Sequence, residues 1–149
     1  MKYNILIILY FMNLGCASSQ TILKPCKDTF DVTVLRDVVY EGDVLIQDSL
    51  RSQLKIVFEQ DFNDSIYIFV GDILLQVNHI VTDRLLGVSP QFVTIDYSMH
   101  EKMPKVSFVL KNGKECVSFY PKRGKQMAYV NFLNRAWSVE LSNIMREYR

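Results

Sequence analysis

Residues 65–80 read Ser-Ile-Tyr-Ile-Phe-Val-Gly-Asp-Ile-Leu-Leu-Gln-Val-Asn-His-Ile, two apolar-rich runs broken by a single Gly71-Asp72 pair. Each run is rich in β-branched and aromatic residues, and glycine stands where a two-residue hairpin loop needs positive φ. That is the signature of a tight β-hairpin, and it recurs downstream. Lys105–Leu110 and Glu115–Tyr120 flank Lys111-Asn112-Gly113-Lys114, whose Asn-Gly pair suits a type I′ turn. Gln126–Leu133 and Ala136–Leu141 meet at Asn134-Arg135, with arginine in the place glycine usually takes. Between the first two hairpins lies Phe92–Tyr97, entered from a loop containing Gly87, Ser89 and Pro90.

Upstream the period stays at two. Leu54, Ile56 and Phe58 alternate with Gln53, Lys55 and Glu59, and Phe30, Val32 and Val34 alternate with Asp31 and Thr33. The expectation is about eight or nine hairpin-connected strands with no confident helix of ten residues. No connection has the helical crossover that a parallel sheet needs, so antiparallel pairing is expected. Sheets with one apolar face must stack, which gives an all-β antiparallel sandwich or small barrel. An immunoglobulin pattern is not expected, because Trp137 follows both Cys26 and Cys116.

Composition agrees with one folded domain. The 149 residues are 49% hydrophobic, 12% aromatic and 22% charged, which excludes intrinsic disorder. A net charge of +1, two histidines and three cysteines exclude a strongly basic nucleic-acid binder, a multi-histidine metal centre and a disulfide-dense scaffold. No cofactor, metal or nucleic acid is expected.

The apolar run Ile5–Gly15 follows Lys2 and is too short for a bilayer span, so it reads as a secretory leader. Its end, Asn13-Leu14-Gly15-Cys16, resembles the lipobox of bacterial lipoprotein signal peptides, with Gly15 and Cys16 in the matching places. Asn13 stands where that pattern usually has an aliphatic residue, and Leu14 is larger than usual. The resemblance covers the leader alone. It implies that Cys16 carries a lipid and anchors the protein to the membrane of the cell envelope. Ordinary cleavage after Ser19, leaving Gln20 first and a secreted protein, is the alternative. The expected organisation is a signal peptide over residues 1–16, a tether over 17–29 and a single domain over 30–149.

With Cys16 lipidated, Cys26 and Cys116 remain as a pair able to form a disulfide in an oxidising envelope. Charge is divided along the chain. Residues 17–100 hold six basic and twelve acidic residues, and residues 101–149 hold ten and four. Lys111, Lys114, Lys122, Arg123 and Lys125 form a candidate anion-binding segment, though hairpin order puts its two halves at opposite ends of one strand. Enzyme motifs fail: there is no Gly-x-Ser-x-Gly, phosphate loop, His-Glu-x-x-His or Cys-x-x-Cys. His79 and His100 are poorly placed for a metal, and Asp61-x-Asn63-x-Ser65 mimics a calcium loop but lacks its glycine at the sixth position. Asn63-Asp64-Ser65 is also a glycosylation sequon. Tyr67, Tyr97, Phe119, Tyr120, Tyr129 and Trp137 have the chemistry of a sugar platform, with core packing as the default.

The functional expectation is a non-catalytic, lipid-anchored envelope module that binds a protein or a surface polymer. The alternatives are an envelope-polymer hydrolase using paired carboxylates drawn from Asp72, Asp83, Asp96 and Glu115, and a toxin-neutralising lipoprotein.

Overall fold

The computed structural model describes residues 24–27, 33–34, 39–46, 52–60, 62–98 and 102–148. Cys16, the leader, Asp61 and His100 lie outside them, and so does much of the run from Phe30 to Val38. Eleven strands are described: β1 (Thr33–Val34), β2 (Val44–Leu45), β3 (Gln53–Glu59), β4 (Asn63–Val70), β5 (Ile73–Val81), β6 (Val88–Asp96), β7 (Val106–Leu110), β8 (Cys116–Phe119), β9 (Met127–Leu133), β10 (Ala136–Ser142) and β11 (Ile144–Met145). Among the described residues no helix is long and apolar enough to cross a membrane.

The protein is an all-β sandwich, and its sheets do not close into a barrel. A five-stranded sheet in the order β1-β10-β9-β3-β6 faces a four-stranded sheet in the order β5-β4-β7-β8, with a β11-β2 ribbon beside them. Alternation decides which residues meet in the middle. Leu54, Ile56 and Phe58 of β3, Ile66 and Ile68 of β4, Phe108 of β7 and Val130 of β9 point inward and are fully buried. Each such side chain contributes about 1.5–3 kcal/mol through apolar area removed from water. Trp137 closes one end of the core, its ring centroid 4.7 Å from that of Phe132 and 6.0 Å from that of Phe62.

The hairpins fall where turn chemistry places them. Val70 pairs with Ile73 across Gly71 (φ 61°), and Leu133 pairs with Ala136 across Asn134 and Arg135 (φ 52° and 62°). The latter is a type I′ turn with arginine forced into left-handed backbone. The β7–β8 turn differs from expectation. Of its Asn-Gly pair only Gly113 has positive φ (70°), and the loop spans four residues closed by Leu110 N donating to Glu115 O at 3.0 Å. Asn112 Oδ1 accepts from Lys114 N at 2.9 Å, an Asx turn that makes a left-handed Asn112 unnecessary.

Two further differences concern pairing. β1 lies parallel to β10, and β3 lies parallel to β9. Crossover helices are not the only way to return a strand parallel. Here the chain leaves β3 for the opposite sheet (β4, β5), returns as β6, leaves again (β7, β8) and comes back beside β3 as β9. Strands of the second sheet thus serve as the crossover. Ser89 and Pro90, expected in a loop, belong to β6. Proline is tolerated there because β6 is an edge strand and the β3–β6 register slips between Val57 and Glu59.

Candidate functional site

The densest ionisable chemistry lies on the outer face of the five-stranded sheet. The alternation that sends Leu54, Ile56 and Phe58 inward sends Lys55, Val57 and Glu59 outward, and on β9 it sends Met127, Tyr129 and Asn131 outward. The parallel β3–β9 register sets Val57 beside Tyr129 and Glu59 beside Asn131, and β10 places Glu140 opposite Tyr129. Val57, Val88, Met127 and Tyr129 make a second small apolar core against this face, with Ile46 and Tyr148 packed on it. The C-terminal strap from Ile144 to Tyr148 crosses above, pinned at one side where β11 pairs with β2.

Arg146 on the strap joins the acids. Its Nη1 donates to both Glu59 oxygens at 2.8 Å, and its Nη2 donates to Glu140 Oε2 at 2.6 Å. The guanidinium also stacks 4.0 Å from the Tyr129 ring centroid. Tyr148 O–H donates to Glu59 Oε1. Tyr129 O–H donates to the Ile144 carbonyl and accepts from Arg146 N at 3.0 Å.

Burial opposes the charge on Arg146, but hydrogen bonds to Glu140 and Glu59 and the charge of both carboxylates outweigh it and lift its pKa further. Burial, then the bond to Glu59 and its negative charge, push the Tyr148 phenol well above its ordinary value. Arg146 therefore stays charged and Tyr148 protonated. Both Glu59 oxygens are engaged by Arg146, and Oε1 accepts from Tyr148 as well. Chemically the cluster is a clasp for the strap. The cluster's Tyr129, Arg146 and Tyr148 help line a shallow groove of about 200 Å³ that Lys55, Phe92 and Met145 also line, with Lys55 Nζ 4.0 Å from the Phe92 ring centroid.

The residues singled out from sequence are distributed as follows. Cys26 and Cys116 form a disulfide with Cα atoms 5.7 Å apart, and Lys105 Nζ donates to the Cys26 carbonyl at 3.0 Å. Cys26 is buried, so the segment expected to be tether is tied to β8 and the packed unit begins before Phe30. Lys111 and Lys114 flank the β7–β8 turn, while Lys122, Arg123 and Lys125 lie in the loop that follows β8, at its other end.

Asp72 and Asp83 sit beyond opposite ends of β5, whose nine residues span roughly 30 Å. A cleft of about 640 Å³ is lined by Asp83 but not by Asp72, Asp96 or Glu115. Asp83 Oδ1 is held by Leu85 N at 2.8 Å, and a hydrogen bond from the Ser98 backbone lowers the pKa of Asp96. Of the sugar-platform aromatics, Tyr97, Phe119 and Tyr129 are buried, because alternation turns them into one core or the other, and only Tyr120 among them is largely exposed. Asn63 and Ser65 are extended in β4, and no group of three or more potential metal ligands occurs among the described residues.

Sequence reasoning missed Glu59, Glu140, Arg146 and Tyr148 as a cluster. Glu59 looked like an ordinary solvent-facing member of an alternating strand, and nothing in Arg-Glu-Tyr near the C-terminus signals that it folds back over that strand. Comparison with protein-family models, with curated proteins and with solved structures found no match to this chain.

Proposed function

We propose that this protein is an exported, lipid-anchored module of the cell envelope, held by Cys16, that binds a protein or surface polymer and carries out no catalysis. The observation that carries the reading is the Cys26–Cys116 disulfide, since such bonds persist in oxidising compartments and are rare in reducing ones. It agrees with the leader and with the small, polar stretch after Cys16. The absence of catalysis is supported by the clasp, where every ionisable group serves another, and by the separation of Asp72 from Asp83.

Metabolic labelling with a fatty-acid analogue tests the anchor. The wild type should be tagged and recovered with membranes, whereas Cys16→Ser should be untagged. Equal labelling of both, or a mature chain beginning at Gln20, refutes the anchor. Alkylation before cell lysis tests export separately: Cys26 and Cys116 should be protected until a reductant is added, and free thiols in the intact cell refute it.

A further inference from the structure

We propose that the end of the sandwich bearing the β4–β5 turn rests on an anionic membrane surface, with Ile73 entering the lipid interface and Lys24, Lys27 and Lys105 facing headgroup phosphates. The ladder and two hydrogen bonds assemble that end. Val70 pairs with Ile73 and Phe69 with Leu74 around the Gly71-Asp72 turn. Residues directly opposite in an antiparallel pair share a face, so Leu74 projects on the same side as Phe69. Gly71 N donates to the Lys105 carbonyl at 2.7 Å, and Lys105 Nζ donates to the Cys26 carbonyl at 3.0 Å. The turn, the approach to β7 and residues 24–27 are thereby held as one surface. Its hollow of about 410 Å³ is lined by Lys24, Lys27 and Lys105 together with Pro25, Phe69 and Asp72.

The chemistry of this surface is amphipathic. Ile73 is 75% exposed and Leu74 nearly half exposed, while Lys24 and Lys27 are exposed cations. Water is a poor environment for an isoleucine at a hairpin tip, and the headgroup–acyl boundary is a better one. Lysine stems lie along apolar surface while their ammonium groups reach phosphates, which suits the same boundary. Asp72 lines the hollow and Asp28 follows Lys27 in sequence, so the surplus of positive charge is small. Attraction of this kind acts at contact, with the aliphatic tip supplying the rest of the binding.

The occupant follows from covalent geometry, and this step rests on the anchored reading above. Lys24 stands eight residues after Cys16, and a chain of that length spans at most about 28 Å. A lipid on Cys16 therefore holds this end of the domain near the membrane, whichever path residues 17–23 take. A second aliphatic turn lacks that link. Leu85 is 93% exposed, but its turn lies beyond the far end of β5, roughly 30 Å from Ile73, and sets Asp83 against one cation, Arg84.

Co-sedimentation of the exported protein carrying Cys16→Ser with lipid vesicles tests this, since that chain has no lipid of its own. Phosphatidylglycerol vesicles should retain it at low salt, and phosphatidylcholine vesicles roughly tenfold less strongly. Reversing Lys24 and Lys27 together to glutamate should weaken retention on phosphatidylglycerol by about tenfold or more. Ile73→Ser should weaken it by about tenfold, because it removes apolar area from the interface. Leu85→Ser, at the far end, should leave it unchanged. These positions are exposed, so denaturation midpoints should stay near that of the parent. If Ile73→Ser fails to fold, the lysine pair decides. No preference for the anionic vesicles, unchanged retention of the lysine-pair variant or of a folded Ile73→Ser, or an equal loss in Leu85→Ser overturns the proposal. A lipid tag on the wild type with no retention of Cys16→Ser refutes this surface alone, and retention without a tag refutes the anchor alone.

Discussion

Replacing Arg146 by alanine tests whether the clasp holds the strap to the sheet. Glu59 is 7% exposed, and two of its hydrogen bonds come from Arg146 Nη1. Removing the guanidinium leaves the carboxylate with Tyr148 and with Asn131 Nδ2, the latter at 3.5 Å and hence weak. Breaking a buried ion pair by deleting one partner costs about 3–5 kcal/mol, most of it the penalty of the charge left behind. The Arg146 side chain is 29% exposed, so water can reach the vacated place. The expected loss is therefore about 2–3 kcal/mol, or a fall in melting temperature of roughly 10 °C for a domain of this size. Trp137 is the only tryptophan and lies in the aromatic core, so its fluorescence in a urea titration reports global unfolding. The decisive variant is Glu59→Met combined with Arg146→Met. With no orphaned charge it should lose less than Arg146→Ala alone, and the cycle should show coupling of about 1 kcal/mol or more. An Arg146→Ala variant within about 0.5 kcal/mol of wild type, or strictly additive effects, would refute the reasoning.

Three other perturbations probe separate links. Replacing Cys26 and Cys116 together by serine opens a loop of 90 residues and should cost roughly 4 kcal/mol by loop-closure entropy, read as a lower urea midpoint; an unchanged midpoint would mean that Lys105 and packing hold the segment unaided. Arg135→Gly should raise stability by about 1 kcal/mol, because it relieves left-handed backbone (φ 62°) in the type I′ turn; a loss would show that the arginine side chain makes a compensating contact. Burial raises the phenol pKa of Tyr97, Tyr129 and Tyr148 in the folded state, so the stability tied to them is complete below the ordinary value of 10.0 and is lost as pH climbs through the raised values. Ultraviolet titration should show exposed tyrosines such as Tyr120 ionising first and these three only with unfolding; one smooth transition for all the tyrosines together would contradict it.

What the sequence disclosed was local. A hairpin needs only a turn and two alternating runs, so Gly71-Asp72 and Asn134-Arg135 could be placed from a dozen residues each. Alternation also sorted Leu54, Ile56 and Phe58 from Lys55 and Glu59, and that was enough for the core. Partners distant in the chain were invisible. The parallel β3–β9 pair joins residues some 70 apart, and no local pattern encodes which sheet a strand rejoins. The β7–β8 turn failed for a different reason. Asn-Gly favours type I′ when both residues are left-handed, but the Asn112 side chain offered the backbone another bond, and a four-residue loop resulted. The clasp was hidden by the same non-locality, since Glu59 and Arg146 lie 87 residues apart.

Early strands pairing with late ones also decide what the divided charge can do. β1, β2 and β3 come from the acidic part of the chain and lie beside β10, β11 and β9 from the basic part. The acidic and basic stretches are thus woven through shared sheets and do not form opposed faces. Arg146, a cation of the basic part, is spent on Glu59 of the acidic part and on its neighbour Glu140. Exposed charges act over a Debye length of about 8 Å at physiological salt, shorter than the distance between the two lysine-bearing loops at either end of β8 if the strand and both turns are counted. Lys111 with Lys114, and Lys122 with Lys125, therefore act as two small local patches with acidic strands nearby. Those lysines keep turns soluble and the sheet end unpaired. Charge divided in this way does not build one extended cationic face.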